Sequence, residues 1–419
     1  MDRSVIIIGA GAAGLMSAVI LSEAGYKVTI LEATCRAGGR IHTLHDNKFQ
    51  YPVELGAEFI HGNLPLTLNL LKEAGIKYTR TSGQMTRLQK GKPDTANDMW
   101  QYWDEMMQRM QQLKEDVSVQ QFLQKYFSDS KYNTLRETVI NFAEGYDLAD
   151  INKASIIALR DEWIQEEGPQ YRVEGGYDKL TDHLLDKCTQ HNCSIYFSSV
   201  VSNIHWQQGY VEVYTKDESI FKAGKVVITV STGVLQSGML AFLPKIDEYM
   251  QAADNIGYGS VIKVLLQFSN KFWNNIAKDA GFILSNEPVP TWWTQLPDEY
   301  PLLTGWIASS KVIQFNKATE EDILKQSLQS LSSIFQIPVT QLQELLTAYK
   351  VANWPSEAFA LGGYSYNTIE SANAKAMLGS SISHTLFFAG EALYDGPVQG
   401  TVEAALSSGK KTAEQIIML

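Results

Sequence analysis

The stretch SVIIIGAGAAG at residues 4–14 leaves the chain little freedom about how it begins. A continuous apolar run that stops at glycine fits a strand buried on both faces of a parallel sheet. Gly9, Gly11 and Gly14 then complete G-x-G-x-x-G, with Ala10, Ala12 and Ala13 between them. The first glycine permits a tight turn, the second lets backbone approach a pyrophosphate, and the third lets helix and strand pack closely. Residues 12–25, AAGLMSAVILSEAG, are apolar at helical spacing and close on Gly25. KVTILEA follows as a second strand ending at Glu32, where a carboxylate can accept from a ribose hydroxyl. A helix N-terminus opening on this turn offers free N–H groups and a positive dipole end to phosphates. These features predict an α/β fold that begins as a Rossmann-like dinucleotide-binding unit.

The continuation EATCRAGGRI sets Arg36 and Arg40 on either side of Gly38-Gly39. Two guanidinium groups and a flexible backbone suit a second pass along a bound pyrophosphate, which favours FAD over NAD. The chain has 419 residues, 45% of them hydrophobic, enough for one large or two intermediate cores. Its net charge of −11 and the lack of a basic stripe argue against a nucleic-acid partner. Cys35, Cys188 and Cys193 are too few for a disulfide framework. Cys188, His191 and Cys193 lie close in sequence but lack a fourth ligand, so no metal is expected. No apolar run reaches the roughly 18–20 residues of a membrane span. MDRSVIIIGAG enters its strand without a basic region or cleavage site, so a soluble, cytoplasmic protein is expected.

Residues 96–145 read as helical, with Met99, Trp103, Met106, Met110 and Leu113 as a stripe facing a core. SIYFSS, YVEVYT and KVVITVS read as strands, and 280–310 as further sheet. Residues 318–335 predict a helix capped by Thr319 and Asp322, burying Ile323, Leu324, Leu328, Leu331 and Phe335. A last helix is expected over roughly 399–417. Without a repeat or long linker, the parts are expected to interleave. SVIKVLLQF, residues 260–268, reads as a strand with Lys263 in its middle, a position where lysine is depleted. By itself such a lysine reads as snorkelling at a sheet edge. Glu162, Glu166 and Glu167 in RDEWIQEEG suit an acidic channel or a solvated helix end equally.

Several ordered motifs add to this: RAGGR, VELGAEFIHG (53–62), RVEGGYDKL, SVVSNI, VVITVSTGVL, YGSVIKVLLQF, NWPSEAFALGGYS and FFAGEALYDGPVQGTVEAALSSG. Together they resemble the flavin-containing amine oxidase family, which includes monoamine and polyamine oxidases and lysine-specific histone demethylases. The resemblance implies an FAD-binding Rossmann-like domain from 1–76, 171–257 and 353–419. An interleaved, mixed α+β substrate domain would come from 77–170 and 258–352. It implies FAD contacts at Gly9, Gly11, Ala13, Gly14, Glu32, Ala33, Arg36, Gly39 and Arg40, then at Gly56, Ala57 and Glu58. Val201 would touch the adenine end, Gly390 and Glu391 the ribityl–phosphate region, and Gly400 and Thr401 the flavin O2–N1 edge.

The same resemblance places Lys263 facing the flavin, holding a water near N5, and Tyr364 as an aromatic wall, with Trp354 beside it. His61 matches an ionisable site near the substrate nitrogen. The implied reaction oxidises a C–N bond of a primary or secondary amine to an imine, by hydride transfer to flavin N5, with O2 reoxidation to H2O2. Gly363 stands where monoamine oxidases carry a linking Cys, so FAD is expected to be non-covalent. Ser231 replaces a usual Pro. Pro397 falls where the second aromatic wall is expected, with Tyr394 a nearby stand-in. A flavin-dependent amino-acid oxidase or desaturase, or a flavin-binding module without turnover, are the alternative readings.

Overall fold

The computed structural model describes residues 3–93, 100–165, 168–396 and 398–419. The opening strand Ser4–Ile8 pairs in parallel with Lys27–Leu31 on one side and Lys225–Ile228 on the other. Ser194–Tyr196 and Leu386–Phe388 complete a five-stranded parallel sheet. Its strands come from distant parts of the chain, so the sheet cannot close until the C-terminal third is in place. Helix Ala12–Glu23 covers one face, and the last helix, Val402–Ile417, packs on it. That crossing is close: a Cβ on Gly409 would lie 2.2 Å from the Ala13 carbonyl. Ser17 Oγ bridges the pair, donating to the carbonyls of Ala13 and Gly409 at 2.9 Å each.

A second, seven-stranded sheet runs in the order Leu346–Asn353, Val261–Phe268, Leu302–Ala308, Thr291–Trp293, Ala280–Leu284, Gln84–Gln89 and Lys92–Pro93. Helix Glu320–Phe335 covers one face of it, capped by Thr319 and Asp322 in a reciprocal capping box, as the sequence predicts. Val261–Phe268 is buried along its whole length. Side chains alternate across a strand. Ile262, Val264, Leu266 and Phe268 join the cluster under the helix, with Leu328, Leu331 and Phe335. Val261 and Leu265 join a different cluster, with Leu55 and Trp354. Lys263 shares their face, which looks toward the parallel-sheet half of the molecule.

The helical region is not continuous. Trp103–Gln111, Val119–Tyr126 and Asn133–Gly145 are separate helices, followed by Ile156–Gln165. Ser118 starts the second with a capping box to Gln121, and Asp129 caps a short 3-10 turn before the third. Side chains that accept backbone N–H groups thus restart the helix where its periodicity suggests one piece. The apolar rhythm survives because these helices share one cluster, containing Met106, Met110, Phe122, Leu135 and Leu159. Trp103 and Leu113 are partly buried against it. Met99 lies outside the described residues. Among the described residues no helix is long and apolar enough to cross a membrane.

Leu331 is fully buried between helix and sheet. Leu331→Ala is expected to cost about 2–5 kcal/mol, read as a lowered thermal midpoint.

Candidate functional site

A cavity of about 670 Å³ runs from the glycine turn, at the end of the parallel sheet, to the Lys263 face of the seven-stranded sheet. At the first end, Gly9 has φ +108°, and a Cβ there would lie 2.7 Å from Thr229 Oγ1. A Cβ on Gly14 would lie 2.0 Å from the Gly9 carbonyl, so the turn holds its shape only with glycine at both positions. Gly11 caps the first helix without a side-chain acceptor. The first-turn N–H groups are therefore available to an anion from the cavity, which Gly11, Ala12 and Ala13 line. Glu32 also lines it; its Oε2 accepts from Ala10 N at 2.7 Å and its Oε1 from Thr34 N and Oγ1 at 2.9 and 2.8 Å.

The two arginines divide their work. Arg36 lines the cavity, but its guanidinium donates to the carbonyls of Ala37, Gly39 and Ile41 at 3.1, 2.7 and 3.0 Å. These bonds hold the loop around Gly38 and Gly39 in shape. Arg40 pairs with Glu391 at 2.8 Å and donates to Gly363 O at 2.9 Å. Gly56 packs edge-on to that loop, where a Cβ would meet the Arg40 carbonyl at 1.9 Å. Ala33, Gly39, Ala57, Val201, Gly390, Gly400 and Thr401 all line the same cavity. Thr401 caps the last helix itself, accepting from Ala404 N. Ser231 also acts as a cap, accepting from Val234 N and donating to Ala360 O.

At the other end, Lys263 is 1% exposed, which rules out the edge-snorkelling reading. Its Nζ donates to Glu58 Oε2 at 2.7 Å and to Gly56 O at 3.1 Å, and lies 5.4 Å from the Trp293 ring centroid. A direct carboxylate, which the sequence reading did not foresee, thus partners the ammonium. Glu58 is shared: its Oε1 accepts from Arg172 Nε at 2.8 Å and Trp293 Nε1 at 2.9 Å. Burial works to raise the Glu58 pKa, but the charges of Lys263 and Arg172 outweigh it and hold the carboxyl below its usual range. Glu58 lines the cavity as expected, yet both oxygens already serve protein donors.

His61 is half-buried, with Nδ1 3.1 Å from Tyr146 Oη. Burial pushes its pKa down to about 4, so the ring is neutral at physiological pH rather than titrating there. Tyr364 lines the cavity, lies against Gly400 and donates its hydroxyl to the Tyr146 carbonyl. Trp354 also lines it, its indole N–H held by Leu55 O at 2.9 Å. Tyr394 does not line the cavity, so it is no stand-in wall; its ring packs against Gly396 instead. Pro397, Glu166 and Glu167 lie outside the described residues, while Glu162 lines the cavity. Among the described residues no group of three or more His, Cys, Asp or Glu is placed to hold a metal ion.

The family described as flavin containing amine oxidoreductase matches residues 12–417. The chain belongs to that family. It is 26% identical to polyamine oxidase 5 of Oryza sativa subsp. japonica, over 98% of this chain and 87% of that protein. It is 27% identical to lysine-specific histone demethylase 2 of Homo sapiens, over 99% of this chain but only 53% of that protein. The chain therefore spans about half the length of this demethylase relative. Its fold matches putrescine oxidase bound to putrescine, with a TM-score of 0.83, 20% identity and full coverage of both chains. It also matches cyclohexylamine oxidase from Brevibacterium oxydans, with a TM-score of 0.82 and 20% identity over 100% and 99% of the two chains.

This flavin amine oxidoreductase is FAD-dependent, and the residues present fit that cofactor: a helix end without a side-chain cap, a turn too tight for a Cβ at Gly9 or Gly14, and a long cavity. The three cysteines are free, and Gly363 occupies the position before Tyr364, consistent with non-covalent FAD. Sequence reasoning missed Trp293, Arg172, Trp306 and Tyr146. The first two bind Glu58, Trp306 pairs in register with Lys263 and Tyr146 holds both His61 and Tyr364. The aromatic alternation of TWWTQL and LTGWIA was the available signal for the two tryptophans.

Gly14→Ala is expected to abolish FAD retention while the protein stays folded, checked by flavin absorbance per chain after gel filtration. His61 gives a pH signature. Its pKa is about 4 when folded and about 6.5 in an unfolded chain, so the unfolded state binds more protons between those values. Stability contributed by neutral His61 is full above about 6.5 and falls on acidification toward about 4. Burial holds His42 down to about 4 as well, while burial pushes Glu54 up to about 7, which acts in the opposite sense. The His61→Asn variant should therefore lose less thermal stability than the parent between pH 7 and pH 5.

Proposed function

We propose that this chain oxidises a primary or secondary amine whose carbon–nitrogen bond is seated between Lys263, His61 and Tyr364. The observation that carries this reading is that those three side chains line the same cavity as the phosphate-binding turn. FAD held along the glycine turn would supply the acceptor for a hydride equivalent from the carbon next to nitrogen; with O2 as the final oxidant the products would be H2O2 and an imine that water hydrolyses. The protein orients and desolvates the amine. Neutral His61 can hydrogen-bond an amine nitrogen without repelling it. Tyr364, Phe282 and Trp306 offer ring faces that favour a nitrogen centre. Glu144 and Glu162 line the far part of the cavity, which suits a second amine group, as a polyamine would carry. In this reading FAD belongs to 1–76, 171–257 and 353–419, and the amine to 77–170 and 258–352.

A second reading has one observation in its favour. Arg87 and Lys311 also line the cavity, and a cation there could take the carboxylate of an amino acid. An anaerobic panel of putrescine, spermidine, spermine, an aromatic amine and amino acids, read by flavin absorbance, tests both. Bleaching by an amine supports the first reading, bleaching by amino acids alone supports the second, and a flavin left oxidised by all of them points to a module without turnover. Lys263→Met should slow bleaching by about a hundredfold with FAD content unchanged, since Glu58 keeps Arg172 as a partner. Loss of FAD in that variant would make Lys263 structural.

A further inference from the structure

Three side chains from separate stretches of chain meet at one carboxylate. Glu58, 8% exposed, accepts from Lys263, Arg172 and Trp293 at 2.7, 2.8 and 2.9 Å. One negative charge shared between two cations leaves the cluster with a net positive charge in the cavity wall. Lys263 commits two of its three N–H donors, to Glu58 and to Gly56 O, and keeps one for the cavity it lines. A buried ammonium without a counter-charge gives up its proton readily.

We propose that Glu58 is a positioning residue: it pins the Lys263 ammonium against Gly56 and the Trp293 ring, fixing a hydrogen-bond donor at the reacting end of the cavity. The role rests on the reading of Lys263 as a working group of that cavity. Two neighbouring strands bring charged groups near Lys263. Strand Gln170–Val173 presents Arg172, and strand Val53–Glu54 presents Glu54, which lies within reach of the Lys263 charge. The flanking strands place Trp306 and Ala352 in register with Lys263, and neither titrates. Glu54 is therefore the one group here that could imitate a Lys263 ionisation.

The test uses FAD-loaded parent, Glu58→Gln, Lys263→Met and the double variant. Glutamine keeps the size and an acceptor for Trp293 but removes the charge. Glu58→Gln is expected to retain FAD, and its rate of anaerobic bleaching by the best amine should gain an ionisation about 1–3 units below the ordinary lysine value. Above it, the rate falls to the Lys263→Met level. In the Lys263→Met background Glu58→Gln should add no ionisation and no further slowing, whereas a Glu54 ionisation would persist there. An equal slowing in both backgrounds, or an unchanged pH profile, overturns the proposal.

If no substrate bleaches the parent, the functional reading has failed and thermal midpoints decide the positioning role. With a lowered folded-state pKa for Lys263, the unfolded chain binds more protons, so stability rises with pH through that window. The Glu58→Gln deficit should then shrink between about pH 8 and pH 10.4, and should not vary with pH in the Lys263→Met background. A pH-independent deficit in both backgrounds overturns it.

Discussion

The site depends on one buried ion cluster. Lys263 comes from the middle of the seven-stranded sheet, Glu58 from a loop leading out of the dinucleotide-binding half, and Arg172 from the strand that brings the chain back to it. Their contacts therefore join the two halves at the cavity they share. Burying such charges gains little net stability over an apolar core, but removing one partner strands the others and costs about 3–5 kcal/mol. The cluster is better understood as a constraint on geometry than as a source of stability. It fixes where the two sheets meet, and with that the width of the cavity between the glycine turn and the Lys263 face.

The glycine constraints act in the same way at the other end. Gly9 and Gly14 each leave room for backbone or hydroxyl oxygens closer than a side chain would permit. Close backbone approach makes room for a phosphate but gives up packing. That loss is offset by the first and last helices, which lie close enough for Ser17 to bridge them.

What could be read in the sequence was what is encoded locally. The G-x-G-x-x-G turn between a strand and a helix, the Thr319 and Asp322 cap and the acid at Glu32 are each set by neighbours a few residues away, and all three appear in the structure. The oddity of Lys263 was visible too, because a lysine violates the apolar pattern of its strand. Its partner was not: Glu58 lies 205 residues away, and only the folded pairing of two sheets brings them together. The carbonyls that Arg36 holds went unseen for the opposite reason: they belong to its own loop, and its charge pointed to a phosphate. The divided helices between 103 and 145 were hidden because three pieces bury one stripe, so the periodicity carries across the breaks.

The close crossing of Val402–Ile417 on Ala12–Glu23 has a consequence for cofactor capture. The nucleotide turn and the cavity-lining residues Glu391, Gly400 and Thr401 lie far apart in sequence but face one cavity. The cavity is therefore complete only when both segments have docked, so whatever loosens this helix pair also loosens the grip on the flavin.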